Sequence, residues 1–260
     1  MRSTKCSSLL AVVAGLLVMA AASPSLAEPV AITAGGPMAR LATLKEGTRL
    51  YLRSLEKDGV ARPMDMWRRT VKFETVDGQK RLHVTQLWTA AAPSKNQLEL
   101  NSWFDADSFA PLTHERHWLR DGQTTHEGFQ FAPDAVTGLA RMSDNARKDF
   151  KAPLEEPAFN FETDLEMMEV LDLKKGWSGR MVFYHPGGGP AKPYIVSVAG
   201  EVSAPAPGRR AAACWLVLLD AQAEDAFPAS RFFVDKITRQ VLRVEQPQAD
   251  GSLIVKTRLN

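Results

Sequence analysis

The chain has 260 residues, 45% of them hydrophobic, and a formal net charge of +2 at pH 7. This length is enough to bury a sizeable core in one β-rich domain or two small ones, and we favour one. A charge so close to balance gives no electrostatic attraction toward polyanions, so we expect no nucleic-acid partner.

Residues 1–27 have the features of a secretory signal peptide. A basic start precedes an apolar run over residues 9–22, and Ser25 and Ala27 provide the small side chains that a signal peptidase accepts. The run is too short to cross a bilayer as a helix. We therefore expect cleavage after Ala27, export to the periplasm, and no transmembrane anchor in the mature chain. Export argues against ATP, NAD and the genome as partners.

The two cysteines fit this interpretation. Cys6 leaves with the signal peptide, so Cys214 has no intrachain disulfide partner. Cys6 also precedes the apolar run, where a lipobox cysteine does not occur, so we expect an unacylated protein.

After cleavage we expect an N-terminal segment over residues 28–46 and a single antiparallel β domain over residues 47–260. Pro37 and Gly47 bound a possible short helix over residues 38–45. The first strand candidate covers residues 49–55.

Asp77-Gly78 predicts the first β-hairpin, because a two-residue Asp-Gly turn takes positive φ at both positions and fixes the register of its arms. One face of this hairpin is apolar except for Arg69 opposite Gln86. Its apolar pairs are Trp67 with Trp88, Val71 with Val84, and Phe73 with Leu82. The other face is polar, so one side of the hairpin is buried and the other is solvated.

Three more strand candidates follow, over residues 97–104, 112–120 and 123–131. The turn Asp121-Gly122 places His117 opposite His126, with Glu115 on the same face. Two imidazoles and a carboxylate could bind zinc or copper, but a solvated polar pair is the simpler interpretation. We therefore expect no metal and no cofactor, and keep these three residues as weak candidates.

Residues 164–171 carry the strongest helix pattern. Thr163 and Glu166 have the spacing of a capping box, and Leu165 and Met168 begin an apolar stripe. Carboxylates are dense in and before this helix: Glu155, Glu156, Glu162, Asp164, Glu166 and Glu169. They could serve a hydrolase, although favourable helix-start electrostatics and solvation explain them at least as well.

The C-terminal third contains strand candidates over residues 177–184, 194–202, 211–219 and 230–235. Residues 211–219 are apolar in both alternating sets, which predicts a central strand covered on both faces, with Cys214 buried and inert. A third turn, Asp250-Gly251, predicts that Val244 faces Thr257 and that Glu245 faces Lys256.

These elements predict a mainly β fold. Many antiparallel strands and very few helices are typical of a large curved sheet, an incomplete β-barrel, with one or two short helices on its concave side.

Four segments, by their order and spacing along about residues 45–260, together form a recognisable pattern. They are Trp103-Phe104-Asp105 with Pro111-Leu112, residues 171–184, Val198-Ala199-Gly200-Glu201 leading into Cys214-Trp215, and Phe233-Val234-Asp235-Lys236. In this pattern the chain resembles a family of uncharacterised periplasmic proteins similar in architecture to the lipoprotein carriers LolA and LolB. The resemblance implies an incomplete barrel that wraps over helices and encloses a hydrophobic cavity. It implies no catalytic residue, and fold likeness alone names no ligand.

We therefore expect a non-enzymatic protein that binds or shields a lipid, a lipidated protein or another apolar group in the cell envelope. The helix over residues 164–171 would act as a lid. The expected cavity lining is Trp67, Val71, Phe73, Leu82, Val84, Trp88 and Trp215. An ordinary core is the simpler explanation of such residues, and two other functions stay open: a structural subunit of an envelope complex, and a hydrolase that uses the acidic cluster 155–169.

Overall fold

The computed structural model describes residues 28–38, 40–91, 94–222 and 228–260; the predicted signal peptide lies outside the described residues. The fold is mainly β, with one large, curved, unclosed sheet and a single short α-helix, α1 (Asp164–Val170), as predicted. The strands in chain order are β1 (Val30–Ala31), β2 (Gly47–Lys57), β3 (Val60–Val76), β4 (Gln79–Ala90), β5 (Gln97–Asp105), β6 (Pro111–Arg120), β7 (Gln123–Phe131), β8 (Ala135–Gly138), β9 (Lys151–Pro153), β10 (Phe159–Asn160), β11 (Ser178–Tyr184), β12 (Lys192–Ala206), β13 (Arg209–Ala221), β14 (Ser230–Asp235), β15 (Val241–Pro247) and β16 (Leu253–Arg258).

Two antiparallel meanders form the sheet. Strands β2 to β9 pair in sequence order, β11 to β16 do the same, and antiparallel pairing of β16 with β2 joins the two meanders. Strands β1 and β10 pair with β11 in parallel, which the prediction of a wholly antiparallel sheet did not include.

The two ends of the sheet meet through side chains. Phe131 of β7 and Val136 of β8 share a buried cluster with Val182 and Tyr184 of β11, and the rings of Phe131 and Tyr184 lie 6.1 Å apart edge to face. Within the described ranges no strand pairing joins β8 or β9 to β11. The sheet therefore wraps around an interior without becoming a hydrogen-bonded barrel.

The first two predicted hairpin registers are confirmed. Asp77 and Asp121 have φ values of 51° and 52°, followed by glycines that also have positive φ. Trp67 lies opposite Trp88, and His117 lies opposite His126. A fourth Asp-Gly turn, at residues 58–59, joins β2 to β3. The same dipeptide signal could have identified it.

The predicted register of the third hairpin is wrong by one residue. Val244, not Glu245, lies opposite Lys256. The connection is a loop over residues 248–252 instead of a two-residue turn, and the Asp250 carboxylate accepts hydrogen bonds from the amide and hydroxyl of Ser252 at 3.1 and 2.6 Å. Because a slip of one residue turns every side chain to the opposite face, Lys256 lies on the interior side of the sheet.

The predictions about the helices need three corrections. The helix expected over residues 38–45 is only a 3-10 turn, Leu41–Thr43. Helix α1 ends one residue earlier than predicted. The predicted capping box is wrong, because the Thr163 hydroxyl donates to the Asn160 carbonyl and the Glu166 carboxylate accepts from Arg69.

Strand β13 is interior in the sheet, between β12 and β14, as predicted. Val217 belongs to the main core, whereas Cys214 packs with Ala204 and Leu242 in a separate cluster. Cys214 has no exposed surface, and burial raises the pKa of its thiol. The strand is therefore covered on one face near Cys214 and on the other near Val217, while Ala211 and Ala213 are exposed, so coverage of both faces along the whole segment is not confirmed.

All seven residues of α1 are buried, including its three carboxylates, so the helix fills the interior of the sheet and does not cover it as a lid. Each carboxylate is paired with a cation from a different strand. These helix ion pairs are Asp164 with Lys256 of β16 at 3.6 Å, Glu166 with Arg69 of β3 at 2.5 Å, and Glu169 with Arg49 of β2 at 2.9 Å.

Arg69 has the largest set of hydrogen bonds among these cations. It donates to both carboxylate oxygens of Glu166, to the side-chain oxygen of Gln86 at 3.0 Å and to the carbonyl of Glu162 at 3.0 Å. Desolvation acts to raise the pKa of Glu166, but the charge and hydrogen bonds of Arg69 outweigh it and hold that pKa below its usual range. Desolvation dominates at Glu169 and raises its pKa to about 7, although Arg49 opposes the shift.

We predict that Arg69→Met lowers the free energy of unfolding by about 3–5 kcal/mol, because it leaves the Glu166 carboxylate charged and unpaired in the interior. The double variant Arg69→Met/Glu166→Leu should recover most of this loss, since apolar side chains of similar volume then replace both charges. Urea unfolding followed by circular dichroism measures both variants. A double variant no more stable than the single one would contradict this explanation.

His114 of β6 is the fully buried histidine of the interior. Its Nδ1 lies 2.8 Å from the Ser102 hydroxyl, and its Nε2 has no hydrogen-bond partner among the described residues. Desolvation, helped by the nearby charge of Arg116, lowers the pKa of His114 to about 3. The folded protein therefore holds this imidazole neutral.

We predict that His114 makes stability fall in acid. Between about pH 6.5 and pH 3 the unfolded chain binds a proton that the folded chain excludes, so the free energy of unfolding decreases as the pH falls, by up to about 1.4 kcal/mol per unit. His114→Gln removes this contribution while leaving all other titrating groups. The stability difference between wild type and variant should be constant above pH 7.5 and should change steadily below pH 6.5. A difference that is constant from pH 8 to pH 4 refutes the assignment.

Candidate functional site

Two adjacent cavities lie at the end of the sheet where α1 begins. The mouth cavity has a volume of about 590 Å³, and its lining includes Phe161, His185, Tyr194, Leu219, Ala221 and Gln246. The inner cavity has a volume of about 180 Å³, and its lining includes Arg53, Trp67, Trp88, Glu162, Asp164 and Lys256. Phe161, His185 and Gln246 line both cavities, so a molecule in one could extend into the other.

Two stacked tryptophans form one wall of the inner cavity. The rings of Trp67 and Trp88 lie 4.0 Å apart and 16° from parallel, as their cross-strand pairing allows. The Arg53 guanidinium lies 5.3 and 5.2 Å from the two ring centroids, close enough for cation–π attraction. Asp65 holds Arg53 in place, because it accepts from Nε through both carboxylate oxygens at 3.0 and 3.1 Å.

A second aromatic group lines the mouth cavity. Phe161 stacks on His185 with ring centroids 3.9 Å apart, and the Tyr194 ring lies 5.6 Å from Phe161. The hydroxyl of Tyr194 and Nε2 of His185 are 3.1 Å apart. Desolvation lowers the pKa of His185 and raises that of Tyr194, so both side chains are neutral near pH 7. The mouth therefore has an uncharged aromatic wall.

Lys256 places an amino group at the inner cavity. Its Nζ lies 3.6 Å from the Asp164 carboxylate and 4.5 Å from the centroid of the Trp67 ring. Desolvation lowers the pKa of Lys256, and the charge of Asp164 opposes this shift. Five charged residues line the inner cavity (Arg53, Arg69, Glu162, Asp164 and Lys256), whereas among the described residues the mouth cavity has one, Lys192.

The structure separates the seven predicted cavity residues into three groups. Trp67 and Trp88 line the inner cavity. Val71, Leu82 and Val84 have no exposed surface and belong to the main core. Phe73 and Trp215 are partly buried against that core, with the ammonium groups of Lys80 and Lys236 at 5.0 and 4.2 Å from their rings. A ligand-binding role for these residues remains a prediction.

The weak metal candidates come together as the register predicted, but their carboxylates have other partners. The rings of His117 and His126 lie 4.5 Å apart, and His117 Nε2 lies 3.9 Å from Glu115. Glu115 also pairs with Arg141 at 2.5 Å, and His126 pairs with Asp144. Across the described ranges, no group of three or more histidine, cysteine, aspartate or glutamate side chains is arranged to hold a metal ion.

The acidic cluster is divided between surface and interior. Glu155 is exposed, and Glu156 pairs with Arg180. Asp164, Glu166 and Glu169 belong to the helix ion pairs. Glu162 lies at the inner cavity, where desolvation raises the pKa of its carboxyl group although Arg116 opposes the shift.

Several residues at this site were not identified from the sequence: Arg53, Phe161, His185, Tyr194 and Lys256. Lys256 was placed on the solvated face because the third hairpin was assigned a two-residue turn. The Asp-x-Ser spacing at residues 250–252, which suits a side-chain-stabilised loop, was the available signal against that turn. Phe161 and His185 lie outside the regular strands, so no alternation pattern marks them.

Comparison with known proteins supports the barrel-like fold. A β-barrel-like protein of domain of unknown function DUF1849 from Brucella abortus matches with a TM-score of 0.53 and 10% identity, over 84% of this chain and 97% of that one. A DUF1329 family protein from Desulfovibrio piger matches with a TM-score of 0.24 and 13% identity, over 86% and 87% of the two chains. MucB matches with a TM-score of 0.28 and 11% identity, over 85% and 54%. We draw only the fold from the first and nothing from the other two.

No helix within the described residues is both long and apolar enough to cross a membrane. The search of curated proteins finds no match to this chain. A family model does match, over residues 62–259, which is most of the chain. The chain therefore belongs to the family described as "Protein of unknown function (DUF3108)".

Proposed function

We propose that this protein binds an amphiphilic small molecule, with the apolar part in the mouth cavity and the polar part in the inner cavity. The observation that carries this proposal is that a mouth cavity lined mainly by uncharged side chains, with Lys192 as the exception among the described residues, shares lining residues with a smaller cavity that several charged side chains line. A ligand with two chemically different ends matches this arrangement better than a purely apolar or a purely polar one.

The size of the mouth cavity supports a small-molecule ligand. Its volume of about 590 Å³ falls within the range of roughly 300–1,000 Å³ that ligand sites usually occupy. The interior beyond it is filled by α1, whose apolar residues pack against side chains such as Val71 and Val84 that have no exposed surface. We therefore propose entry of the ligand at the mouth only. A cavity running through the barrel, as the resemblance to LolA and LolB implies, is not needed.

A binding role agrees with the chemistry of the acidic cluster better than a hydrolytic one. Asp164, Glu166 and Glu169 each face a cation in the helix ion pairs, so these carboxylates serve the packing of α1. Paired, buried carboxylates are poorly placed to exchange protons with a substrate. We accordingly propose a non-enzymatic protein.

The signal-peptide pattern of residues 1–27 leads us to propose the periplasm as the site of action. A single-chain or multi-chain lipid, or the acyl group of a lipidated protein, are the amphiphiles that such an envelope compartment offers.

We predict that Ala221→Trp weakens binding of 11-(dansylamino)undecanoic acid by at least about tenfold, because the added indole occupies the mouth cavity. Ala221 lies at the end of β13 and lines this cavity. Ala213→Trp is the matched control, since Ala213 is an exposed residue of the same strand and should leave binding unchanged. Dansyl fluorescence during titration gives both dissociation constants.

Mass spectrometry of extracts from wild-type protein purified from its native envelope provides the second readout of this prediction. Acyl-chain species should accompany the wild type and the Ala213→Trp control and should be depleted in Ala221→Trp. A wild-type protein that neither carries such species nor binds the dansyl probe contradicts the proposed function.

A further inference from the structure

We infer that the inner cavity recognises the oxyanion head group, a carboxylate or a phosphate, of a single-chain amphiphile, with the Lys256 ammonium and the Trp67 indole N–H as its donors. This inference rests on the proposed function and names the ligand class for the same site.

The first observation is the incomplete bonding of Lys256. An ammonium carries three donors, and buried donors are almost always hydrogen-bonded. Lys256 is 5% exposed, and its nearest carboxylate oxygen, on Asp164, is 3.6 Å away, beyond ordinary hydrogen-bond length. Its other close neighbour is the face of the Trp67 ring, which attracts the charge but accepts no conventional hydrogen bond. Among the described residues, this amino group therefore has donors available for an acceptor in the cavity.

The second observation is independent of the first and concerns Trp67. Its side chain is 3% exposed, and its Nε1 is buried without a hydrogen-bond partner among the described residues. The stacked neighbour Trp88 provides the contrast, since its Nε1 donates to the Gln86 side chain at 3.0 Å. Trp67 of β3 and Lys256 of β16 thus both line the inner cavity, and each has a donor without a hydrogen-bonded acceptor among the described residues.

Each cation at the inner cavity has a carboxylate partner, so N–H donors without acceptors, and not net charge, favour an anion over a cation there. Arg53, Arg69 and Lys256 line the cavity. Arg53 pairs with Asp65 and Arg69 pairs with Glu166, and neither of these carboxylates lines the cavity. Among the described residues, the carboxylate paired with Lys256 is that of Asp164, which is farther away at 3.6 Å and also lines the cavity. The carboxyl group of Glu162 has a raised pKa, because desolvation favours its neutral form, so it opposes an entering anion less than an ordinary glutamate does.

Isothermal titration calorimetry at pH 7.5 with decanoate, decyl phosphate and decanol tests the inference, because the three probes share one chain and differ in the head group. We expect wild-type protein to bind at least one of the two oxyanions about tenfold or more tightly than decanol, as a charge-assisted hydrogen bond provides. The ratio between decanoate and decyl phosphate then names the head group.

Lys256→Gln should remove this preference while leaving decanol binding unchanged. Lys236→Gln is the matched control, because Lys236 also lies over a tryptophan, at 4.2 Å from Trp215, but borders neither cavity. Lys256→Gln/Asp164→Asn removes both charges of the pair and keeps the test valid if the single variant unfolds; it should show the same loss of preference. Circular dichroism verifies that each variant is folded.

The outcomes separate the two proposals. Equal affinity of wild type for decanol and both oxyanions overturns the inference and leaves the proposed function standing. A preference that survives in folded Lys256→Gln also overturns it. Absence of binding to all three probes overturns the proposed function together with the inference.

Discussion

A guanidinium and a carboxylate buried together inside the sheet, Arg69 and Glu166, are the interaction on which the rest of this structure depends. Removing two charges from water is costly unless their geometry is good and their remaining hydrogen bonds are made, and here Gln86 and the Glu162 carbonyl complete the set. In the observed position of the helix, each of its three carboxylates faces a cation from β2, β3 or β16. A shift of the helix would leave buried charges unpaired, which is costly, while apolar packing with the surrounding strands stabilises the helix where it lies.

The candidate site is a consequence of this placement. Helix α1 is short and completely buried in the main core, and the inner cavity lies beside its first residue, Asp164. The side chains that border that space come from distant parts of the sequence, which the curvature of the sheet brings together. Mostly uncharged side chains line its outer part, with Lys192 as the exception among the described residues, and several charged side chains line its inner part beside a tryptophan pair, so the cavity has two chemically distinct ends.

Sequence reasoning identified the fold class and most strands because Asp-Gly turns and alternating apolar residues are local signals. The pairing of Trp67 with Trp88 follows from the Asp77-Gly78 turn alone. The position of Lys256 could not be predicted in the same way, because a side-chain contact within the loop decides the register of that hairpin. Glu166 illustrates the second limit. Its spacing from Thr163 suits a capping box, yet a cation 97 residues away in the chain binds it instead.

The seam between β2 and β16 has a consequence for the order in which this chain folds. Its contacts join residues 210 positions apart, such as the Leu50 amide and the Asn260 side chain. Each meander can form from nearby segments, but the seam requires closure of almost the whole polypeptide, and such distant contacts slow folding. Until β16 is available, β2 exposes an unpaired backbone edge that can associate with other strands. The newly made chain therefore needs protection of the β2 edge from association with other molecules until β16 pairs with it.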